Sequence, residues 1–275
     1  MREFELKNKA VAYFRANSEQ YAERYSVPAQ GDVLRQRHEA ILDLVVRLGL
    51  PSRSRLLDLG CGPGLLSFDL ARRGYRGFGL DSAPGMIQLA KTQACDQGLS
   101  GLWQYQVADV EKLPLQEESF DGAICAGVID YLPTDDNLLR EAHRVLKPRG
   151  VLILAVTNKY GYTVSLSSVA DCIKRSPSLM RLASEVRQKV IGGKYGAMSF
   201  DFVPRKHRPA AIRKSLARHG FEMAADRYLQ FTALPAPFCA MFSRFSATRN
   251  GQMEMLERTP LRVFGSCYLV AARRA

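Results

Sequence analysis

A glycine-rich turn follows an acidic residue in the segment Asp58-Leu59-Gly60-Cys61-Gly62-Pro63-Gly64. Residues 55–59 are mostly apolar and predict a short strand before this turn, and residues 65–73 predict a helix after it. Glycines at a strand-to-helix turn let the backbone bend tightly and approach a ligand, and the N–H groups that begin the helix point toward that ligand. The segment therefore predicts a binding site for a small molecule.

The chemistry of this turn argues against the dinucleotides that bind similar turns. Gly64 lies one residue too early for the Gly-x-Gly-x-x-Gly pattern, and Leu65 stands where that pattern has its last small residue. Asp58 adds a negative charge that would repel a pyrophosphate, whereas the same charge would attract an ammonium or sulfonium group. A nicotinamide-dependent oxidoreductase is therefore not the favoured class.

Two further acidic residues follow the next two predicted strands. Asp81 stands 17 residues after Gly64, where a carboxylate can accept hydrogen bonds from both hydroxyls of a ribose. Asp109 can accept a hydrogen bond from the exocyclic amine of an adenine, while the backbone N–H of Val110 donates to a ring nitrogen. A site for an adenosine that carries a cationic amino-acid tail and no phosphate is a site for S-adenosyl-L-methionine.

With these motifs, residues 50–157 resemble the class I S-adenosylmethionine-dependent methyltransferases. The likeness is strongest to the branch that holds ubiquinone/menaquinone C-methyltransferases and many small-molecule O-methyltransferases. Besides the glycine turn, it rests on Asp81-Ser82-Ala83-Pro84-Gly85-Met86, on Phe120-Asp121 and on Arg144-Val145-Leu146-Lys147-Pro148-Arg149-Gly150. Arg149 is a departure, because the family usually has a second glycine there. The resemblance implies a methyltransferase that uses S-adenosyl-L-methionine.

The resemblance also implies contacts for the cofactor. Met86 would pack on the adenine, and the backbone of Cys125 and Ala126 would meet the methionine amine. The N-terminal segment would fold over the cofactor, with Tyr25 or Tyr21 at the methionine carboxylate, unless these rings pack a helix against the sheet edge instead. The predicted cofactor-binding residues are Asp58, Gly60, Cys61, Gly62, Gly64, Asp81, Ser82, Met86, Asp109, Val110, Cys125, Ala126 and Tyr25.

The elements needed to position these residues alternate between strand and helix. Strands are predicted over residues 55–59, 77–80, 102–107, 123–126, 151–156, 221–229 and 266–272, and helices over 35–48, 65–73, 83–97, 135–146 and 208–219. Such alternation, with the resemblance, predicts a Rossmann-like α/β fold, a seven-stranded mostly parallel sheet with helices on both faces and a helical lid inserted after strand five.

Four regions are expected along the chain. Residues 1–50 form an N-terminal helical segment over the cofactor, and residues 51–157 form the S-adenosylmethionine-binding core. Residues 158–207 form a helical insertion that binds the acceptor, and residues 208–275 supply a helix and the last strands.

Methyl transfer depends on alignment, and a general base is needed only if the acceptor keeps its proton at neutral pH. Asp130 and Tyr131, beyond the fourth strand, and His207, beyond the fifth, are the candidate catalytic residues. Asp130 could instead cap the helix predicted near Asp135. His207 lies in the basic stretch Arg205-Lys206-His207-Arg208, which is expected to be a solvated loop.

Other composition features restrict the class further. The sequence shows no cluster with metal-ligand spacing, so no metal is expected, and His38 and His219 are expected at helix surfaces. The six cysteines lie at least 28 residues apart, which excludes a CxxC pair and favours a reducing compartment. Residues 1–10 are too polar for a signal peptide, and no apolar run approaches the roughly 18 residues of a membrane span. A cytoplasmic protein is expected.

Positive charge is concentrated in the second half of the chain. Residues 1–150 carry 19 Lys and Arg against 20 Asp and Glu, whereas residues 151–275 carry 20 against 7. This half either faces an anionic partner or serves solubility alone. The segment Pro237-Phe238-Cys239-Ala240-Met241-Phe242-Ser243-Arg244-Phe245 is apolar and aromatic. It either packs inside the acceptor region or makes peripheral contact with an anionic membrane surface or a lipid-like acceptor.

Three classes of function remain after these exclusions. The favoured class is a methyltransferase that acts on a small hydrophobic or anionic molecule, by O- or C-methylation of a quinone, natural product or lipid-linked intermediate. An RNA methyltransferase and a non-catalytic S-adenosylmethionine-binding protein are the alternatives. Nucleic acid is the less favoured partner, because Asn158-Lys159-Tyr160-Gly161 stands after strand five in place of the Asn/Asp-Pro-Pro-Tyr motif of base N-methylation.

Overall fold

The computed structural model describes residues 2–24, 28–161, 202–230 and 254–275. The strands are β1 Arg55–Leu59, β2 Arg76–Asp81, β3 Trp103–Val107, β4 Phe120–Ala126, β5 Leu146–Thr157, β6 Phe221–Leu229 and β7 Cys267–Arg274. The α-helices are α1 Arg2–Ala16, α2 Ser18–Arg24, α3 Pro28–Arg47, α4 Leu65–Arg72, α5 Pro84–Asp96, α6 Asp136–Val145 and α7 Pro209–Arg218. Short 3-10 helices cover Ile129–Tyr131, Glu254–Arg258 and Pro260–Phe264.

The strands form one sheet in the order β3-β2-β1-β4-β5-β7-β6. Strands β1 to β5 pair in parallel, and β7 runs antiparallel to both β5 and β6. The predicted seven-stranded, mostly parallel sheet is therefore confirmed. Because β1 and β4 lie side by side while their helices leave in different directions, a crevice opens beyond their carboxyl ends.

Strand β5 begins earlier than predicted. Phe120 pairs with Leu146, and a register shift precedes the regular pairing of Gly122 with Val151. Arg149 lies inside this irregular stretch with φ of 63°. That left-handed conformation favours glycine, which gives a physical reason for the glycine that related sequences carry there.

Apolar side chains cover both faces of the sheet. Along β1, Leu56 packs in a core with α3, α4 and α5, whereas Leu57 packs in a second core with α6 and α7. This alternation follows from the two-residue period of a strand. It places helices on both faces, as the sequence predicts.

One of the two histidines expected at helix surfaces is buried. His38 is 9% exposed, because it lies one turn before Ile41 on the face of α3 that packs against the sheet. Burial, assisted by the charge of Arg37, lowers the pKa of His38 to about 3. The expected surface position of His38 is therefore wrong. His219 is partly exposed at the end of α7, with Nε2 3.4 Å from Oδ1 of Asp136.

Several expectations fall outside the described residues. Residues 162–201 make up most of the predicted insertion and residues 237–245 the predicted aromatic segment, and both lie in undescribed parts of the chain. Of the helices within the described ranges, none is long and apolar enough to cross a membrane.

Candidate cofactor site and active site

The glycine turn between β1 and α4 is held against the end of β2. The N–H groups of Gly60 and Cys61 both donate to the carbonyl of Leu80, at 2.7 and 2.9 Å. Gly60 has φ of 73°, and a Cβ at this position would overlap the side chain of Val128. Glycine is therefore required here both by the backbone conformation and by the close approach of the segment after β4.

A cavity of about 250 Å³ opens at the carboxyl ends of β1, β2 and β4. The predicted cofactor residues on its wall are Gly60, Gly62, Asp81, Ser82, Met86, Asp109, Val110 and Ala126. Asp58, Cys61, Gly64 and Cys125 lie outside the set of described residues that line the cavity. Tyr25 lies outside the described residues. The sheet therefore brings most of the predicted set together at one edge, from four separate loops.

The carboxylate of Asp81 is fixed by two backbone donors. The N–H of Gly62 lies 3.0 Å from Oδ2, and the N–H of Ala83 lies 2.9 Å from Oδ1. Burial raises the pKa of Asp81, and these backbone hydrogen bonds counteract part of that increase. Each carboxylate oxygen can accept a further hydrogen bond, so Asp81 can bind a ribose diol from the cavity wall.

Asp58 lies deeper than Asp81 and is 2% exposed. Its Oδ2 has no hydrogen-bond partner among the described residues. Burial raises the pKa of Asp58 to about 7, an increase that a hydrogen bond from Ser67 opposes and the charge of Asp81 reinforces. A buried carboxylate with an unused acceptor is stabilised by a cationic ligand nearby, and the ammonium and sulfonium groups of S-adenosylmethionine meet that requirement.

Arg37 is a cavity residue that the sequence analysis missed. Its guanidinium lies beside Gly127, where an added Cβ would come within 2.9 Å of Nη1. It lowers the pKa of Asp58 by its charge, although burial dominates at that carboxyl. A signal was present in the sequence, because Arg37 lies between Leu34 and Ile41 at helical spacing on the buried side of α3. A cation there suits the carboxylate of an amino-acid tail.

The N-terminal helices cover the cavity. Lys7, Ala10, Val11 and Phe14 line it from α1, at the spacing of one helical face. Tyr21 lines it from α2. The sequence expectation placed this region over the cofactor, and the described helices lie where such a cover is needed.

Aromatic rings form one wall of the cavity. Phe14 contacts Tyr21 and Tyr131 edge-on, with ring centroids 5.5 and 5.4 Å apart. Phe202 extends this cluster, because its ring lies 5.9 Å from that of Tyr131 and 6.0 Å from that of Tyr13. Edge-to-face pairs of this kind stabilise packing beyond simple burial. The wall joins helix α1, the segment after β4 and the segment that precedes α7.

The three candidate catalytic residues occupy different depths. Tyr131 lines the cavity, and burial raises its pKa above the ordinary value. Asp130 is 5% exposed and is not among the described residues that line the cavity. It accepts hydrogen bonds from the N–H of Thr157 at 3.1 Å and from Thr157 Oγ1 at 2.6 Å. Asp130 therefore binds the end of β5 and does not cap α6.

His207 is buried, and the expectation of a solvated loop is wrong. Its exposed fraction is 5%, and its N–H donates to the carbonyl of Thr157 at 2.8 Å. Residue 207 forms a parallel bridge with Asn158, which draws the basic stretch into line with the end of β5. Nε2 of His207 lies 3.2 Å from Oδ1 of Asp130. The basic residues around His207 suggest an exposed loop. The burial follows only from its partners, Asn158 at the end of β5 and Asp130, which lie far away along the chain.

Comparisons with known proteins agree with this geometry. Residues 57–154 match the family described as a methyltransferase domain. The ubiquinone biosynthesis O-methyltransferase of Xanthomonas axonopodis pv. citri (strain 306) is 33% identical over 127 residues, which are 46% of this chain and 52% of that protein. The chain thus spans about half the length of the curated relatives that it matches.

Two solved structures show the same fold. Magnesium protoporphyrin IX methyltransferase from Synechocystis PCC 6803, solved with bound SAH, has a TM-score of 0.64 at 18% identity and covers 98% of this chain and 100% of its own. A putative methyltransferase from Haloferax volcanii, solved with the Trm112 methyltransferase activator, has a TM-score of 0.57 at 23% identity, with coverages of 93% and 97%.

The fold, the glycine turn and the family match over residues 57–154 together identify that part of the chain as a class I S-adenosylmethionine-dependent methyltransferase domain. The cofactor of this domain is S-adenosyl-L-methionine. The ribose hydroxyls and the adenine amine of this cofactor are hydrogen-bond donors, and Asp81 and Asp109 present acceptors on the cavity wall.

Proposed function

We propose that this protein transfers a methyl group from S-adenosyl-L-methionine to a small hydrophobic or anionic molecule, by O- or C-methylation. The observation that carries this proposal is a single cavity in which acidic cofactor ligands and an aromatic wall meet. The aromatic wall favours a flat or apolar acceptor. The names of the relatives point the same way, because they act in ubiquinone biosynthesis or on a porphyrin. We assign the reaction to the biosynthesis of a quinone, natural product or lipid-linked intermediate.

The bound cofactor supplies an electrophilic methyl group on a sulfonium. The work of the chain is then to bind, orient and exclude water. Asp81 would hold the ribose hydroxyls and Met86 would pack on the base, since both line the cavity. Arg37 would pair with the carboxylate of the methionine tail, and the buried Asp58 would balance the positive charges of the cofactor from behind the cavity wall.

The aromatic wall has a separate role at the acceptor. Phe14 and Tyr131 contact each other edge-on, with ring centroids 5.4 Å apart, and both line the cavity, so an acceptor that packs against this pair is shielded from water. Tyr131 keeps its proton at neutral pH because burial raises its pKa. It can therefore donate a hydrogen bond to an acceptor oxygen and does not act as the base.

We assign the base role, for acceptors that must lose a proton, to Asp130 with His207. The carboxylate lies one residue before Tyr131 on the chain and 3.2 Å from the imidazole. Both groups are buried and Asp130 lies behind the described cavity wall, so the proton of the acceptor would reach this pair by way of a wall residue or one bound water. We further place the protein in the cytoplasm, with a peripheral contact to an anionic membrane if its acceptor is a lipid.

The test uses methyl-labelled S-adenosylmethionine with a host extract that is then separated into lipid-soluble, aqueous, protein and nucleic-acid fractions. We expect label in a small-molecule fraction, and much less label with Asp81→Ala when S-adenosylmethionine is not saturating. Label in the nucleic-acid fraction would contradict the small-molecule acceptor. Binding of S-adenosylhomocysteine without transfer into any fraction would indicate a non-catalytic binding protein.

A further inference from the structure

Lys7 is a cation in the cofactor cavity that no part of the proposed reaction uses. It lines the cavity from α1, next to Asp109 and Val110 at the expected adenine end. Its Nζ donates to Oδ1 of Asp109 at 2.9 Å, to Oδ2 of Asp109 at 2.7 Å and to the carboxylate of Glu111. An ammonium group has three N–H bonds, so these contacts occupy all of its donors.

This cluster is partly buried and fixed from several sides. The side chain of Lys7 is 20% exposed, that of Glu111 10% and that of Asp109 47%. The N–H of Glu111 donates to Oδ1 of Asp109 at 3.0 Å, and Asn137 Nδ2 donates to Oε1 of Glu111 at 3.3 Å. Burial lowers the pKa of Lys7, but the hydrogen bonds and charges of the two carboxylates outweigh it, so that the pKa is raised overall. Lys7 is therefore a cation at neutral pH.

We propose that Lys7 is a positioning residue that makes the pocket select a 6-amino purine over a 6-oxo purine. This role rests on the proposed function, because it concerns the base of the same cofactor. All the N–H groups of Lys7 point at carboxylates, so Lys7 has none left to donate to the purine. The carboxylate oxygens of Asp109 are then available to accept a hydrogen bond from the purine's 6-substituent. A 6-amino group donates a hydrogen bond to such an acceptor. A 6-oxo group cannot donate, and its oxygen lone pairs are repelled by those of the carboxylate.

Removal of the ammonium changes what the two carboxylates can do. Asp109 and Glu111 share Lys7 as a common partner, so without it they face each other as like charges. Repulsion between the two carboxylates then favours a position of the Asp109 side chain, which is 47% exposed, that points toward solvent and away from the base. A carboxylate that is no longer held toward the base neither accepts from a 6-amino group nor repels a 6-oxo group. The selectivity for adenine therefore depends on Lys7.

The test is calorimetric titration of the full chain with S-adenosylhomocysteine and with S-inosylhomocysteine. The wild-type protein is expected to prefer the adenosyl ligand at least tenfold. Lys7→Met is expected to weaken adenosyl binding about tenfold and to bring the two affinities closer together, and Lys7→Arg to recover part of the preference. Lys9→Met is the matched control, since Lys9 lies on the same helix, pairs with Glu5 at 2.6 Å and is 48% exposed.

The possible results are separable. Equal losses for both ligands in Lys7→Met would mean that Lys7 only holds α1 in place, and would overturn the proposal. Affinities equal to those of Lys9→Met would overturn it as well. A wild-type protein that fails to bind S-adenosylhomocysteine would reject the proposed function itself, which distinguishes that failure from the failure of Lys7. Unfolding temperatures of all variants identify any that do not fold. If Lys7→Met does not fold, the adenosyl preference of Lys7→Arg is compared with that of the wild-type protein instead.

Discussion

The imidazole of His207 lies against the carboxylate of Asp130, with Nε2 3.2 Å from Oδ1. Thr157 binds the same carboxylate from the end of β5, and the backbone of residue 207 pairs with that strand end. The two candidates for a base are thus parts of one buried cluster behind Tyr131. The cluster joins the segment that follows residues 162–201 to the wall of the cavity.

Asp130→Asn tests the base assignment. The amide keeps the size of the side chain but lacks a basic oxygen, so turnover is expected to fall on the order of 100-fold. The affinity for S-adenosylhomocysteine is expected to stay within about twofold, because Asp130 is not on the described cavity wall. Label transfer and calorimetry measure the two quantities. Full activity in this variant would remove Asp130 from the mechanism.

Asp81→Ala is expected to weaken S-adenosylmethionine binding more than Asp130→Ala does. Asp81 is a cavity residue whose carboxylate is already oriented by Gly62 and Ala83. Loss of two hydrogen bonds to a charged acceptor costs roughly 2 to 4 kcal/mol, or about 30-fold or more in affinity. Calorimetry on both variants provides the comparison, and equal losses would refute the roles given to these two acids.

Gly60→Ala tests the close approach of the glycine turn to Val128. The added Cβ would overlap the Val128 side chain, in a backbone with φ of 73°. We expect loss of cofactor binding and a lower free energy of unfolding, by about 3 kcal/mol or more. Gly49→Ala is a matched control, since Gly49 also has φ of 73° and no heavy atom lies within 4 Å of its added Cβ.

The control isolates the steric term from backbone strain. Gly49→Ala should cost only about 1 kcal/mol in the free energy of unfolding, measured in urea. It should leave the binding of S-adenosylhomocysteine unchanged. Equal losses in the free energy of unfolding for Gly60→Ala and Gly49→Ala would show that the contact with Val128 does not contribute to the effect.

Stability should depend on pH through Asp58. Burial raises its pKa from 3.8 to about 7 in the folded protein, so the folded state keeps a proton that the unfolded chain releases. The free energy of unfolding therefore falls as pH rises from about 4 to about 7, by up to about 4 kcal/mol from this group, and is flat above that range. Asp58→Asn should remove this part of the slope.

Urea unfolding of both proteins between pH 4 and pH 8 makes the comparison. Saturating S-adenosylhomocysteine, which keeps a cationic ammonium group, should reduce the slope in the wild-type protein because the cation favours ionised Asp58. Parallel curves for wild type and Asp58→Asn would show that Asp58 ionises normally in the folded state.

Much of the cofactor site was predictable because its residues are local to strand ends. Gly60 and Asp81 each follow an apolar run, and parallel strands bring their carboxyl ends to one edge whatever the side chains between them. The alternation of strands and helices therefore determined the fold class and most of the cavity wall.

Contacts between distant segments were decided by tertiary structure alone. The basic neighbours of His207 in the sequence predict an exposed side chain. It is buried because its backbone pairs with the end of β5 and its imidazole lies against Asp130. Lys7 and Arg37 lie on helices whose sequence periodicity indicates the buried face but not what that face packs against. The contact of Lys7 with Asp109 and the position of Arg37 in the cavity therefore depend on how the helices pack on the sheet.

The sequence by itself thus determined the class of fold, the glycine turn and the acids that mark a site for S-adenosylmethionine. These features depend on the backbone conformation and on periodic burial, which act over a few neighbouring residues. Tertiary structure decided which charges are buried and paired, such as Asp58 without a partner at Oδ2 among the described residues and Lys7 with two carboxylates. Solvation and charge pairing depend on what lies across space, and no local pattern encodes that.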